Sequence, residues 1–115
     1  MLTIATHLVE DIAVVQLFGR LVLEDTDSPL REEIERLIRD GHVKLVLDLN
    51  GVSYIDSAGL GLLVAKFVSL RKNGGDLRLV HLTPRSMHLM AITNLASVFE
   101  TYASEELAIR SFADA

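Results

Sequence analysis

The sequence contains no cysteine, has fewer basic than acidic side chains, and has no long apolar run. Without cysteine it forms neither disulfides nor thiolate metal sites, which fits a reducing compartment. Its formal net charge of -5 repels the phosphate backbone of nucleic acids, so these are not expected as partners. No apolar run approaches the ~20 residues of a membrane span, and no signal peptide is recognisable. We expect a cytoplasmic protein without membrane insertion.

The chain also lacks internal repeats, low-complexity tracts and linker-like segments. Its 115 residues are enough for one domain and too few for two, so we expect a single domain over residues 1–115. Apolar residues make up 50% of the chain and charged residues 23%. This balance is typical of a globular domain with a hydrophobic core and not of a disordered chain.

Apolar patterning predicts strands that alternate with helices. The expected strands cover residues 2–9, 12–18, 43–49 and 77–82, with a short extended piece at 98–102. The first two strands, joined at Glu10 and Asp11, form a predicted antiparallel hairpin that ends at Gly19. The order ββαβαβαβα predicts an α/β fold with a mixed, mostly parallel sheet of four or five strands covered by about four helices.

Four helices are predicted from one-sided apolar spacing and from residues typical of helix ends. The segment 24–28 offers N-caps for the first helix, with Pro29 in its first turn and Gly41 after its end. The second helix runs to Lys72. Thr83 caps the third, which Asn94 ends in the left-handed conformation, and Ser104 caps the fourth. The expected buried positions are Leu30, Ile34, Leu37 and Ile38, then Leu60, Leu63, Val64, Phe67 and Leu70, and finally Met87, Met90, Ala91 and Leu95.

The segment from Asp48 to Gly61 leads from the end of a strand into the second helix, where Ser57 lies at the helix start. Binding sites in open α/β sheets commonly occupy such strand ends. A purely structural role is also open, in which Asp56 or Ser57 caps the helix and Gly59 permits a close approach to neighbours.

Ser57 also lies where a phosphate has large consequences for docking. A phosphoserine adds a charge of about -1.5 to -2. The free N–H groups and the dipole of a helix N-terminus tolerate this charge. A partner that buried the phosphate would nevertheless bury an unpaired charge, at a cost of several kcal/mol. Because ~1.4 kcal/mol changes an affinity tenfold, one phosphate could switch binding off.

The second helix is apolar beyond its core stripe. Small and apolar side chains are expected largely off the core face, at Ala58, Gly61, Leu62, Ala65 and Val68. They indicate either a second contact surface beside Ser57 or a helix enclosed between the sheet and its neighbouring helices. The sequence leaves both interpretations open.

The hexamer Asp56-Ser57-Ala58-Gly59-Leu60-Gly61 resembles the signature of the STAS domain, in particular that of bacterial anti-sigma factor antagonists. The resemblance continues through nearly the whole chain in the family's order. It includes Phe18-Gly19-Arg20-Leu21, Val46-Leu47-Asp48-Leu49, Asn73-Gly74-Gly75-Asp76-Leu77 and Thr93-Asn94-Leu95.

The resemblance implies a partner switch. In the family, the unphosphorylated domain binds an anti-sigma factor, often a serine-protein kinase that itself binds ATP, and a sigma factor is freed. The kinase phosphorylates the antagonist, which breaks the complex, and a phosphatase restores it. Ser57 is the implied phospho-acceptor, and no cofactor is implied. The partner-binding residues expected around it are Asp56, Ala58, Gly59, Leu60, Gly61, Leu62 and Ala65.

One segment departs from the family pattern. Members often read Gly-Glu-Leu-Asp after the second strand, whereas this chain has Arg20 and Val22 at the acidic positions. The loop to Pro29 is about one residue longer, and Glu24 or Asp25 could substitute for the missing acids. The alternative function is therefore a STAS scaffold or accessory subunit of a signalling or lipid-transport complex, without a phospho-switch.

Enzymatic and nucleotide-binding functions have little support. A G-x-S-x-G elbow around Ser57 would need glycine in place of Ile55, and G-x-G-x-x-G fails at Val64. Asp48 and Asp56 flank a predicted loop, but Asp48 is expected to accept from backbone donors at its strand end. The histidines have no metal-ligand spacing and are expected at or near the surface: His7, His42, His81 and His88. We expect no catalytic residue and no metal.

Overall fold

The computed structural model describes residues 2–22, 29–95 and 97–113. Its elements follow the predicted order. They are β1 (Leu2–Val9), β2 (Ile12–Leu21), α1 (Pro29–Arg39), β3 (Lys44–Ile55), α2 (Ser57–Lys72), β4 (Asp76–Val80), α3 (Pro84–Ile92), β5 (Glu100–Tyr102) and α4 (Glu105–Ala113). The N-caps predicted within residues 24–28 lie outside the described residues.

The strands form one mixed sheet in the order β1-β2-β3-β4-β5. β1 and β2 are the predicted antiparallel hairpin, with Val9 paired to Ile12 and Glu10 at a φ of 56° in the turn. The remaining neighbours are parallel. The carboxyl ends of the parallel strands therefore meet at one edge, where β3 leads into α2.

The sheet separates two apolar clusters. The larger one contains buried side chains of α1, α2 and α3 against one face, among them Ile34, Leu63 and Met90. The smaller one places α4 against the other face, where Ala108 contacts the cluster around Val46 and Val80. Among the described residues, three helices thus cover the face toward which α2 packs, and a single helix covers the other.

Two strands extend further than the sequence predicts. β2 continues through Gly19, whose φ of 114° accompanies a register irregularity, to Leu21. β3 continues to Ile55 in place of the loop expected from Gly51, because residues 51–55 still pair with β2. Gly51 fits since any Cβ there would overlap the Phe18 ring. Conversely, β4 ends at Val80, not at residue 82.

The helix ends confirm the predicted signals. Gly41 and Asn94 have φ values of 85° and 60°, as expected after a helix end. Thr83 Oγ1 accepts a hydrogen bond from the N–H of Ser86 at 3.1 Å. Ser104 Oγ accepts one from the N–H of Leu107 at 3.2 Å. Each hydroxyl thereby satisfies a donor that lacks a partner within its own helix.

The predicted core face of α3 is partly wrong. Met90 is buried, but Met87 is 54% exposed and Ala91 is also exposed. Leu89 and Met90 instead form the side that packs on the larger cluster. The apolar spacing was ambiguous because this nine-residue helix carries methionine, leucine or isoleucine on more than one side.

Candidate functional site

Asp56 is the N-cap of α2. It is extended, with φ -100° and ψ 178°, and its side chain accepts a hydrogen bond from the N–H of Gly59 at 2.7 Å. Its own N–H donates to the carbonyl of Leu21 at the end of β2, at 3.3 Å. Of the two capping alternatives that the sequence left open, the structure selects Asp56.

Ser57 is consequently free of a capping role. It is the first residue of α2, its side chain is exposed, and its hydroxyl makes no hydrogen bond to any residue that the structure describes. The serine lies beside the unpaired N–H groups of the first helical turn, where the helix dipole favours an anion. An exposed hydroxyl here can be modified without the loss of an existing contact.

The two glycines of the hexamer have different roles. Gly59 is buried, and a Cβ at this position would overlap the carbonyl oxygen of Leu21. The absence of a side chain therefore lets the start of α2 rest against the end of β2. Gly61 is exposed, and a Cβ there would meet nothing within 4 Å. The fold does not require glycine at 61.

One narrow side of α2 is exposed and carries small or apolar residues. It consists of Ser57, Gly61, Ala65 and Val68, spaced by four, four and three residues, and we call it the α2 strip. Val68 is 43% exposed. The strip begins at Ser57 itself, whereas Ala58 is only partly exposed.

The expectation that Leu62 lies off the core face is wrong. Leu62 is 8% exposed and belongs to the larger cluster. Lys66, one turn later, is also buried and forms an ion pair with Glu35 of α1 at 3.0 Å. Leu60 is likewise buried. α2 is therefore enclosed on its sheet side and its α1 side, while the α2 strip and the last turn of the helix, with Arg71 and Lys72, are exposed to solvent.

An open cavity of about 310 Å³ lies beside Ser57, between the end of β3 and α3. Its lining joins the predicted site to residues that sequence analysis did not single out. The lining residues are Tyr54, Ile55, Asp56, Ser57, Arg85, His88, Leu89 and Ile92. No local motif marked the α3 residues, because only the fold brings α3 next to the start of α2.

Two arginines contact the aromatic ring of Tyr54. The guanidinium carbon of Arg85 lies 4.8 Å from the ring centre, and that of Arg20 lies 5.9 Å from it. Both distances are within the range of cation–π attraction. Neither arginine forms an ion pair with another residue in the described ranges. Arg20, noted in the sequence only as a departure from a family pattern, therefore belongs to the surroundings of Ser57.

A second polar cluster lies at the other face of the sheet. Asp48 accepts hydrogen bonds from the N–H of Asn50 at 2.9 Å, as predicted, and contacts His81 Nδ1 at 2.8 Å. Glu105, in the first turn of α4, accepts one from Gln16 Nε2 at 3.0 Å. Sequence analysis did not connect Asp48 with Glu105, but the fold brings their carboxyl groups into hydrogen-bonding contact.

The pKa values of the two carboxyl groups are shifted in opposite directions. The hydrogen bond with Asp48, followed by burial, raises the pKa of Glu105 above its ordinary value. Burial acts to raise the pKa of Asp48 as well, but hydrogen bonds from Glu105, His81 and the backbone outweigh it and lower that pKa. As the pH falls, Glu105 is therefore protonated before Asp48.

Two further properties concern the described residues as a whole. Within 2–22, 29–95 and 97–113, no group of three or more His, Cys, Asp or Glu side chains could hold a metal ion. No helix in these ranges is long and apolar enough to cross a membrane.

Comparisons of this chain with known families, sequences and structures agree with one another. The STAS domain family matches residues 3–108. The anti-sigma-B factor antagonist of Bacillus subtilis is 39% identical over 77 residues, which cover 67% of this chain and 70% of that protein. The crystal structure of an anti-sigma factor antagonist from Mycobacterium paratuberculosis superposes with a TM-score of 0.84 at 25% identity, covering 96% of this chain and 93% of the other.

A third protein is similar to this chain in fold. The Bacillus cell fate determinant SpoIIAA in its phosphorylated form has a TM-score of 0.74 at 22% identity, covering 96% of this chain and 99% of the other. Together with the mixed sheet and the helix that begins at Ser57, these matches settle the family. The chain belongs to the STAS domain family and is related by sequence to its anti-sigma factor antagonists.

Proposed function

We propose that this chain is an anti-sigma factor antagonist of the cytoplasm whose binding is controlled at Ser57. With Ser57 unmodified, the chain binds an anti-sigma factor that is also a serine-protein kinase, and a sigma factor is freed. The kinase, which supplies the bound ATP, transfers phosphate to Ser57 and the complex dissociates. A phosphatase then restores the unmodified chain.

The exposed, unbonded hydroxyl of Ser57 carries this proposal. Because Asp56 already caps α2, phosphorylation of Ser57 removes no contact that the fold uses. The phosphate would lie beside the free N–H groups and positive dipole end of α2, which stabilise an anion. The domain would therefore stay folded while its surface charge changes, as a reversible switch requires.

The α2 strip supplies the surface on which the switch acts. A partner that covers Gly61, Ala65 and Val68 also covers Ser57, because these residues lie along one side of the helix. Burial of a hydroxyl is tolerated if it finds a hydrogen bond, whereas burial of an unpaired phosphate costs several kcal/mol. Asp56, Gly59 and Leu60 contribute by fixing the start of α2, and Ala58 lies at the edge of the strip.

The test uses the anti-sigma kinases encoded in the same genome. Each purified kinase is incubated with the chain and ATP, and phosphate is mapped by mass spectrometry, while binding is measured calorimetrically. We expect phosphate on Ser57, no incorporation in Ser57→Ala, and an at least tenfold weaker complex with Ser57→Asp, which corresponds to ~1.4 kcal/mol or more.

Ser104→Asp is the matched control, since Ser104 also lies at a helix start, α4 packs on the opposite face of the sheet, and aspartate can replace serine as an N-cap. It should bind like the unmodified chain. Phosphate at another residue, or full binding by Ser57→Asp, would remove the switch from the proposal. Stoichiometric binding to a membrane complex that contains no sigma factor would favour the alternative function, a scaffold or accessory subunit.

A further inference from the structure

The surroundings of Ser57 contain a second feature, a pair of cations on one aromatic ring. Arg20 and Tyr54 are neighbours across the pairing of β2 with β3, and Arg85 reaches the same ring from the first turn of α3. We call Arg20, Tyr54 and Arg85 the arginine–tyrosine patch. Tyr54 and Arg85 also line the cavity that contains Ser57, so the patch and the α2 strip form one continuous surface.

The patch differs from the other cationic side chains of the molecule. Most of these are neutralised by ion pairs within the described residues. The paired cations are Arg36, Lys44, Lys66, Arg71, Arg78 and Arg110. Arg20 and Arg85 form no ion pair with a described residue and instead lie within 5.9 Å of the same ring centre. On a chain of net charge -5, this is a local concentration of positive charge.

The chemistry of the patch selects carboxylates. Arg20 and Arg85 carry positive charges that form no ion pair with a described residue, and an anion bound at the patch is attracted to both. Each guanidinium offers a planar set of N–H donors that matches a carboxylate, and stacking on Tyr54 limits its freedom before any partner arrives. A nucleic acid is excluded as occupant because its dense charge would be repelled by the rest of this acidic chain.

The apolar surroundings indicate that the anion belongs to a protein. A small inorganic anion would leave the exposed side chain of Ile92, which lines the same cavity as Tyr54 and Arg85, uncovered. A partner protein would cover this side chain, and charged contacts at the rim of such an apolar interface direct its orientation. The patch lies at one end of the α2 strip, where such a rim is expected.

We propose that the arginine–tyrosine patch binds a segment of the anti-sigma factor that carries exposed Asp or Glu side chains. This assignment rests on the proposed function, and it specifies the partner: the face that covers Ser57 is acidic next to Arg20 and Arg85. The patch then determines which anti-sigma factor is recognised, and Ser57 determines when.

The experiment reverses the charges. Affinity for the anti-sigma kinase identified above is measured for Arg20→Glu, Arg85→Glu and the double variant, with thermal unfolding as a check on the fold. We expect at least tenfold weaker binding for each single variant and a larger loss for the double variant. The loss should shrink between about 50 and 500 mM salt, because salt screens exposed charges.

Lys72→Glu is the matched control, since it makes the same charge change about 22 Å along α2 from Ser57. It should alter affinity less than threefold. If Ser57→Asp loses binding while the double variant Arg20→Glu/Arg85→Glu binds fully, the proposed role of the patch is wrong and the proposed function still stands. Equal losses in Lys72→Glu and Arg85→Glu would also overturn the patch, because the effect would then be one of net charge.

A second measurement does not depend on finding the kinase. The ¹⁵N-labelled chain is titrated with a glutamate-rich peptide, a lysine-rich peptide of equal length, and inorganic phosphate. We expect the glutamate peptide alone to shift the amides of Tyr54 and Arg85, with no shift in the double variant. If the chain binds this peptide but forms a complex with none of the kinases, the proposed function is wrong and the proposed role of the patch still stands. Equal shifts with inorganic phosphate would reduce the patch to a site for small anions.

Discussion

At the scale of single residues, the start of α2 separates structural from exposed positions within one short motif. Asp56 caps the helix and Gly59 rests against Leu21, so both are needed for the fold. Ser57 and Gly61 are exposed and make no such contact. The residues available to a partner are thus interleaved with the residues that hold the helix in place.

The two glycines provide a matched pair of substitutions. Gly61→Ala should stabilise the domain by up to ~1 kcal/mol, because alanine is the better residue in a helix interior and its Cβ meets nothing. Gly59→Ala should destabilise it by at least about 1 kcal/mol, since its Cβ overlaps the Leu21 carbonyl. Urea unfolding of both variants measures the difference. Equal stabilities would show that the β2–α2 contact is not tight.

At the scale of elements, α4 is joined to the sheet through the carboxyl pair of Glu105 and Asp48. The raised pKa of Glu105 means that the folded state binds its proton more tightly than the unfolded state does. This contribution to stability is complete below the ordinary pKa of 4.5 and is lost as pH rises through the folded value. The lowered pKa of Asp48 acts in the opposite direction, because its contribution to stability is lost as pH falls below 3.8.

Glu105→Gln should therefore change the pH dependence of folding. Glutamine keeps a donor toward Asp48 and does not titrate, so the variant should gain stability relative to the unmodified chain as pH rises above 4.5. His7 and His81 lie near the pair, and both are unchanged in the variant. Urea unfolding between about pH 4 and 8 measures the difference.

Glu106→Gln is the control, because Glu106 is exposed and paired with Arg110 on the same helix. Its stability difference from the unmodified chain should show no comparable rise above pH 4.5. A Glu105→Gln difference that stays constant with pH would mean that Glu105 carries no extra proton in the folded state.

The elements also show why sequence reasoning succeeded in some places and failed in others. Helix ends such as Thr83 and Asn94 were predictable because their signals are local. The orientation of Leu62 was not, because α2 is apolar on several sides and offers no single stripe. The extension of β3 to Ile55 was missed because Gly51 is typical of a turn, whereas here it accommodates the Phe18 ring.

At the scale of the whole molecule, the order of elements and the mixed sheet were predictable, and so was the position of Ser57 at the start of a helix. The contributions of Arg85 and Glu105 were not. Each lies on a helix that is distant in sequence from the residue it contacts, and only the assembled sheet brings them together. The predicted part of the site is thus the part that one continuous segment builds.

The sheet also couples the two apolar clusters, since β2, β3 and β4 contribute side chains to both. Truncation of a side chain in either cluster should therefore destabilise the whole domain as one cooperative unit. Leu63→Ala, in the larger cluster, should lower the free energy of unfolding by 2–5 kcal/mol, a loss of about the size seen for buried leucines. Val80→Ala, in the smaller one, should lower it by less because fewer buried carbon atoms are removed.

In both variants, unfolding followed by far-ultraviolet circular dichroism and by tyrosine fluorescence should give coincident midpoints. The helices dominate the first signal, whereas the second reports on Tyr54 near Ser57 and Tyr102 near α4. Separate midpoints in Val80→Ala would show that α4 detaches before the rest of the sheet unfolds. Coincidence would mean that the surface around Ser57 is only as stable as the whole domain. The contacts of α4 would then support the proposed binding surface on the opposite side of the sheet.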